Sequence, residues 1–191
     1  RILISDTGGM GKSTLMKWIS LNLIENPSTI PIVIELRKLD SSHKILDEIF
    51  ELIDPIDKSF DKDLIIKFLE LGFFTIILDG FDEIPKDIQD KVTVELREFI
   101  NKIPENNFIL TSRPESALSS FGDFQKFNIK PLSPEESYKI IQKYDALNNV
   151  KQADKLIEEI KTRLEQVKEF LTNPFLVSLL YKSYTFNKDL P

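Results

Sequence analysis

At 191 residues the chain is long enough for one sizeable core and a small appended subdomain. Hydrophobic content of 41% and charged content of 29% are those of an ordinary globular protein, and a net charge of −6 argues against a general nucleic-acid surface while leaving room for a local cationic groove. The absence of cysteine excludes disulfides and thiolate metal sites and fits a reducing cytosol, and no apolar run reaches the length of a membrane span.

Residues 1–5, with Ile2, Leu3 and Ile4, are predicted as a short buried strand. Asp6-Thr7-Gly8-Gly9-Met10-Gly11-Lys12-Ser13-Thr14 follows as a phosphate-cradling loop running into a helix from Ser13. Three glycines within four residues let backbone N–H groups turn inward around an anion. Lys12 then delivers an ammonium to the terminal phosphates and Ser13 a hydroxyl to Mg²⁺. The helix start adds free N–H groups and the positive end of its dipole. Asp6 stands where the usual signature has glycine. Its carboxylate would repel phosphate, so it is expected to point away and cap a neighbouring N–H.

Leu15, Met16, Trp18, Ile19, Leu21, Leu23 and Ile24 make the next helix apolar almost all round, which predicts a helix packed between layers on a sheet. Asn26, Pro27 and Ser28 end it. Residues 30–36 read as a second strand, nearly continuous in apolar residues as in parallel sheets. The single histidine, His43, lies among Ser41, Ser42 and Lys44 and is expected at the surface. Ile45, Ile49, Phe50 and Ile53 form a helical face that stops before Asp54 and Pro55; Leu64, Ile65, Phe68, Leu69 and Leu71 form another, ending at Gly72. Residues 73–78 are a third strand, followed at once by Asp79, Asp82 and Glu83. Ile88, Val92, Leu96, Phe99, Ile100 and Ile103 recur at helical spacing up to Pro104. Residues 108–112 give a fourth strand and 127–129 a short fifth.

Strand and helix alternate, so the fold class is α/β with a mainly parallel sheet and right-handed crossovers. From Ser133 the pattern turns helical, with Ser133 as cap and Pro134, Glu135 and Glu136 in the first turn. Leu156, Ile157, Ile160, Leu164, Val167 and Leu171 keep a stripe, read as the buried face of one helix in a bundle rather than a coiled-coil seam. The division falls near Leu132, into a nucleotide-binding domain at 1–132 and a C-terminally incomplete helical subdomain at 133–191. Opening on a strand that should be central and closing on Asp189, Leu190 and Pro191, both ends are expected to be cut from a longer polypeptide.

A carboxylate at the C-terminal end of a buried parallel strand sits where open α/β sheets bind ligands. Asp79 is therefore placed to hold Mg²⁺ beside Ser13, since magnesium keeps several waters and takes few protein ligands. Hydrolysis also needs a group to orient and deprotonate the attacking water. Gly80 permits a sharp turn that brings Asp82 and Glu83 back toward the phosphates. Glu83 is favoured as base, with Asp82 sharing the metal or water network; spacing does not separate the two.

The phosphate loop, Leu78-Asp79-Gly80-Phe81-Asp82-Glu83 and Ile109-Leu110-Thr111-Ser112-Arg113-Pro114 together resemble the NACHT family. These are STAND-class P-loop NTPases related to AAA+ ATPases, found in NLR-type innate immune receptors and bacterial defence proteins. Lys130-Pro131-Leu132-Ser133-Pro134-Glu135-Glu136 and Asn173-Pro174-Phe175-Leu176-Val177-Ser178-Leu179-Leu180 resemble the family's first helical subdomain, so the likeness covers essentially the whole chain. It implies an ASCE-type three-layer P-loop NTPase with a five-stranded sheet of order 5-1-4-3-2. It implies ATP or ADP with Mg²⁺ as ligands, held by Gly8, Gly9, Met10, Gly11, Lys12, Ser13 and Thr14. It further implies Arg113 as the sensor touching the γ-phosphate and Pro174 packed on the adenine.

The same resemblance implies a cytoplasmic, slow regulatory ATPase working as a conformational and oligomerisation switch. ADP would hold the resting arrangement, and ATP would permit opening of the helical subdomain and self-association. Flanking effector and sensor domains would place it in innate immunity or antiviral defence, with no membrane and no direct nucleic-acid partner. Two other readings stay open, a continuously cycling AAA+-like motor and a nucleotide-binding scaffold without hydrolysis.

Overall fold

The computed structural model describes residues 1–53 and 61–187; the predicted stop at Asp54 and Pro55, the side chain of Leu164 and the closing Asp189, Leu190 and Pro191 lie outside them. Within the described residues the chain divides into two compact units, one of residues 1–7 and 12–128, the other of residues 8–11 and those from 129 onward.

The first unit is built on five parallel strands, β1 (Ile2–Ser5), β2 (Ile30–Glu35), β3 (Phe74–Asp79), β4 (Asn107–Ser112) and β5 (Gln125–Phe127), in the order β2-β3-β4-β1-β5. This is the expected 5-1-4-3-2 order read from the other edge. β3 is a near-unbroken apolar run because it lies between two neighbours and is covered on both faces: Phe74, Ile76, Ile77 and Leu78 are all buried. β2 is nearly as apolar as β3 but is not covered in the same way. As an edge strand it leaves Ile30 and Val33 exposed. The fifth strand lies two residues earlier than predicted, because Asn128 turns its side-chain amide to Ser5 O at 2.7 Å rather than continuing the ladder.

Helices α1 (Lys12–Glu25), α2 (Ile45–Ile53), α3 (Lys62–Leu69) and α4 (Gln89–Lys102) complete this unit. Ile49 and Ile65 on α2 and α3 and Leu96 and Ile100 on α4 bury their apolar faces in one core with Ile34, Ile76, Leu78 and Leu110. Each such side chain contributes about 1.5–3 kcal/mol. α1 does not follow the prediction of a helix covered all round. Met16 is its buried residue, whereas Trp18, Leu21 and Ile24 are each about 60% exposed. A straight helix against a sheet can cover only one side of itself, so apolar residues spread around its axis leave some facing outward.

His43, expected at the surface, is half-buried just before α2, its Nε2 2.9 Å from Glu48 Oε2, while Lys38 donates to the other carboxylate oxygen at 2.7 Å. Burial pushes the Glu48 carboxyl up, but Lys38 and His43 more than offset it and hold it below the ordinary range. The bond to Glu48 raises the His43 imidazole above its ordinary value. The pair therefore adds stability that is complete below the unfolded imidazole pKa of about 6.5 and is lost as pH rises through the higher folded value. Thermal melts should show a larger penalty for His43→Gln at about pH 5.5 than at about pH 8.5; a pH-independent penalty would contradict this.

The second unit holds α5 (Pro134–Asn148), α6 (Ala153–Thr162), α7 (Leu164–Leu171) and α8 (Pro174–Asn187). α5 starts at the predicted cap. Ser133 Oγ accepts from Glu136 N at 3.2 Å, and Glu136 Oε2 accepts from Ser133 N at 2.7 Å. The stripe predicted as one helix is two, broken at Arg163, whose backbone leaves the helical region. Both pieces face one core: Leu156, Ile157, Ile160, Val167 and Leu171 are buried with Ile141, Val177 and Tyr184. Asp145 fixes the entry to α6 by accepting from Gln152 N and Ala153 N, and takes the Tyr181 hydroxyl on its other oxygen. Among the described residues no helix is long and apolar enough to cross a membrane.

Candidate functional site

All the parallel strands end at the same edge of the first unit, and the register brings Glu35 opposite Asp79 and Ser5 opposite Ser112 there. From this edge β1 runs into the glycine-rich loop and then α1, which begins at Lys12, one residue earlier than predicted. Gly9 and Gly11 both have positive φ, as a loop turning its amides to one side requires. Gly9 is needed for space as well. A Cβ there would lie 2.8 Å from Asn173 Oδ1 and from Phe175 Cβ. Within the second unit Asn173 donates to Gly8 O at 3.0 Å and caps α8 by accepting from Phe175 N at 2.9 Å; Pro174 occupies the first turn of that helix. Met10 is buried; Ser13 and Thr14 are exposed in the first turn of α1.

Asp6 behaves as its chemistry demands. Its Oδ1 accepts from Thr7 N at 2.8 Å, capping the next amide. The Lys12 ammonium donates to Asp6 O at 2.6 Å and Thr7 O at 2.9 Å, so the loop's own carbonyls hold it. Burial depresses it below the ordinary lysine value, with Arg113 adding to the effect, while Asp82, Asp6 and Asp79 pull the other way.

The acidic run sorts itself by backbone geometry. Asp79 ends β3 and its Oδ1 accepts from the Thr111 hydroxyl at 2.5 Å; that hydroxyl in turn accepts from Gly80 N at 2.9 Å. Gly80 then takes a left-handed conformation, φ +80°, into a tight turn at Phe81–Glu83 that buried Phe81 anchors. The turn sends the two remaining acids to different partners. Asp82 Oδ1 accepts from Arg113 N at 2.8 Å and its Oδ2 lies 3.1 Å from Arg113 Nε. Glu83 instead joins Ser13, Lys17, Glu35, Arg37 and Asp79 around a cleft of about 290 Å³. Its Oε2 lies 4.0 Å from Arg37 Nη1, and Arg37 also bonds Glu35.

The first unit thus gathers Ser13, Asp79 and Glu83 at one cleft, with Lys12 within electrostatic reach of Asp79, Asp82 and Arg113. A hydroxyl and carboxylates are the hard oxygen donors that suit Mg²⁺. Ser13 and Asp79 would hold the ion, which would supply charge for phosphate oxygens. Thr111 and Arg37 are members that sequence reasoning missed. Thr111 had a signal in standing two residues before Arg113, near the end of β4; Arg37 had none beyond following a strand.

The NACHT domain family model matches residues 1–148. Comparison with curated proteins finds no match. Among solved structures, the chain is similar to the replication initiator DnaA bound to AMPPCP and single-stranded DNA, at 15% identity and TM-score 0.58, covering 98% of this chain and 56% of that one. AMPPCP-bound DnaA from Aquifex aeolicus gives 16% identity and TM-score 0.57, with 96% and 55% covered. Cdc6p from Pyrobaculum aerophilum gives 15% identity and TM-score 0.51, with 74% and 42% covered. The chain spans little more than half the length of these DnaA chains. At such identities the likeness is one of fold.

Proposed function

Because the chain belongs to the NACHT family, a family of P-loop NTPases, we propose that it binds ATP with Mg²⁺ at the edge of its parallel sheet and hydrolyses it slowly. The gathering of Ser13, Asp79 and Glu83 around one cleft, with Lys12 close by, is the observation that carries this reading. Gly8, Gly9, Met10 and Gly11 offer amides to the phosphates, Lys12 neutralises them, and Ser13, Thr14 and Asp79 serve the metal and its neighbouring oxygens. Glu83 is the base that orients and deprotonates water. The nucleotide-binding domain is assigned to residues 1–132 and the helical subdomain to 133–191.

The module works as a conformational and oligomerisation switch in a multidomain signalling or defence protein of the cytoplasm. A switch needs a group whose contacts differ between ATP and ADP, since a ligand with equal affinity for two states shifts neither. Arg113 at the end of β4 is that group. Arg113→Ala should lower ATP affinity about tenfold more than ADP affinity, the worth of one charge-assisted hydrogen bond, in equilibrium titrations. Equal losses for both nucleotides would contradict a γ-phosphate sensor at this position.

A further inference from the structure

We infer that Asp82 is a positioning residue for Arg113 and not a member of the metal or water network, an inference that rests on the proposed role of Arg113. The argument starts from the two oxygens. Oδ1 accepts from the Arg113 backbone N–H at 2.8 Å and Oδ2 lies 3.1 Å from Nε, so both are directed at one residue. The Asp82 side chain is only 16% exposed, in a turn whose first residue, Phe81, is buried edge-on to Phe121 at 5.4 Å between ring centroids. The carboxylate is therefore the fixed partner. Arg113, with a side chain 63% exposed, is the one being held.

The geometry of the guanidinium gives this a use. Five N–H groups sit in a planar fork, and the contact with Asp82 is made through Nε. The two terminal nitrogens carry the other four N–H groups, the pair that grips a phosphate side by side. An exposed arginine otherwise loses considerable rotamer freedom on binding. Anchoring its backbone and Nε together removes much of that loss beforehand. Asp82 also cancels part of the arginine's charge at long range, but the backbone hydrogen bond and the side-chain ion pair act at contact distance and survive that cancellation, so orientation wins. Adjacent Glu83 faces the cleft instead, so the two acids divide the work.

The test uses the intact chain and equilibrium titrations with ATP and ADP for the parent, Asp82→Ala, Arg113→Ala and the double variant, with single-turnover hydrolysis alongside. Asp82→Ala should lose most of the parent's ATP-over-ADP preference, about fivefold or more. The double variant should be no worse than Arg113→Ala alone. Asp82→Asn keeps an acceptor for the backbone N–H and should fall between; it carries the test if melting shows that the alanine variant is unfolded. A parental ATP-to-ADP ratio in Asp82→Ala with reduced hydrolysis would overturn the inference in favour of a water-network role. Tighter ATP binding in Asp82→Ala would overturn it too, since the carboxylate would then be competing with phosphate. If Arg113→Ala itself leaves the ratio unchanged, the sensor reading fails, a result distinct from failure at Asp82 alone.

Discussion

Replacing Lys12 with alanine is expected to weaken ATP and ADP binding at least about a hundredfold, the loss of charge-assisted bonds to clustered phosphate oxygens. The ammonium is delivered by the first residue of α1 and steadied by Asp6 O and Thr7 O, so it is held in the loop before any ligand arrives. Asp6, Asp79 and Asp82 surround it with negative charge. Without Lys12 an incoming triphosphate would meet these acids with its main counter-charge missing. Lys17 lines the cleft but lies more than a helical turn further along α1. Isothermal titration checks the prediction, with thermal melting to show that the variant folds. Near-parental affinity would contradict the phosphate-loop assignment.

Glu83→Gln should lower single-turnover ATP hydrolysis about 10²- to 10⁴-fold while leaving nucleotide affinity near the parent's. Glutamine preserves shape and hydrogen bonding but cannot take a proton. The carboxylate reaches the cleft because Gly80 is left-handed and leaves room, a Cβ there lying 3.2 Å from Glu83 Cδ. Glu83 shares that cleft with Ser13 and Asp79, and on the proposed reading its carboxylate would face a water beside the terminal phosphate. Full hydrolysis in Glu83→Gln, with loss in Asp82→Asn instead, would reverse the two assignments.

Much of this architecture is legible in the chain because the informative signals are local. A strand buried on both faces, such as β3, shows as an unbroken apolar run, and the glycines before Lys12 announce a loop whatever surrounds them. Hidden features depend on distant partners. Thr111 meets Asp79 only through the register that pairs Leu78 with Leu110, and Arg37 enters the cleft because β2 lies beside β3. Asp82 and Glu83 are adjacent in sequence, yet a three-residue turn sends them to different partners, which spacing cannot reveal. The break at Arg163 was concealed because two helices feeding one core keep the same apolar steps as one. On α1 the apolar residues encircle the axis, so composition could not tell Met16, which is buried, from Trp18, which is not.

The central claim is that a nucleotide's metal is pinned between the loop helix and the end of β3. The most direct measurement is a crystal structure with a non-hydrolysable ATP analogue and Mn²⁺ in place of Mg²⁺, the ion located by its anomalous scattering. The account predicts a peak about 2.1 Å from Ser13 Oγ and joined to Asp79 directly or through one water. A peak elsewhere, or nucleotide density away from Lys12 and Ser13, would contradict it.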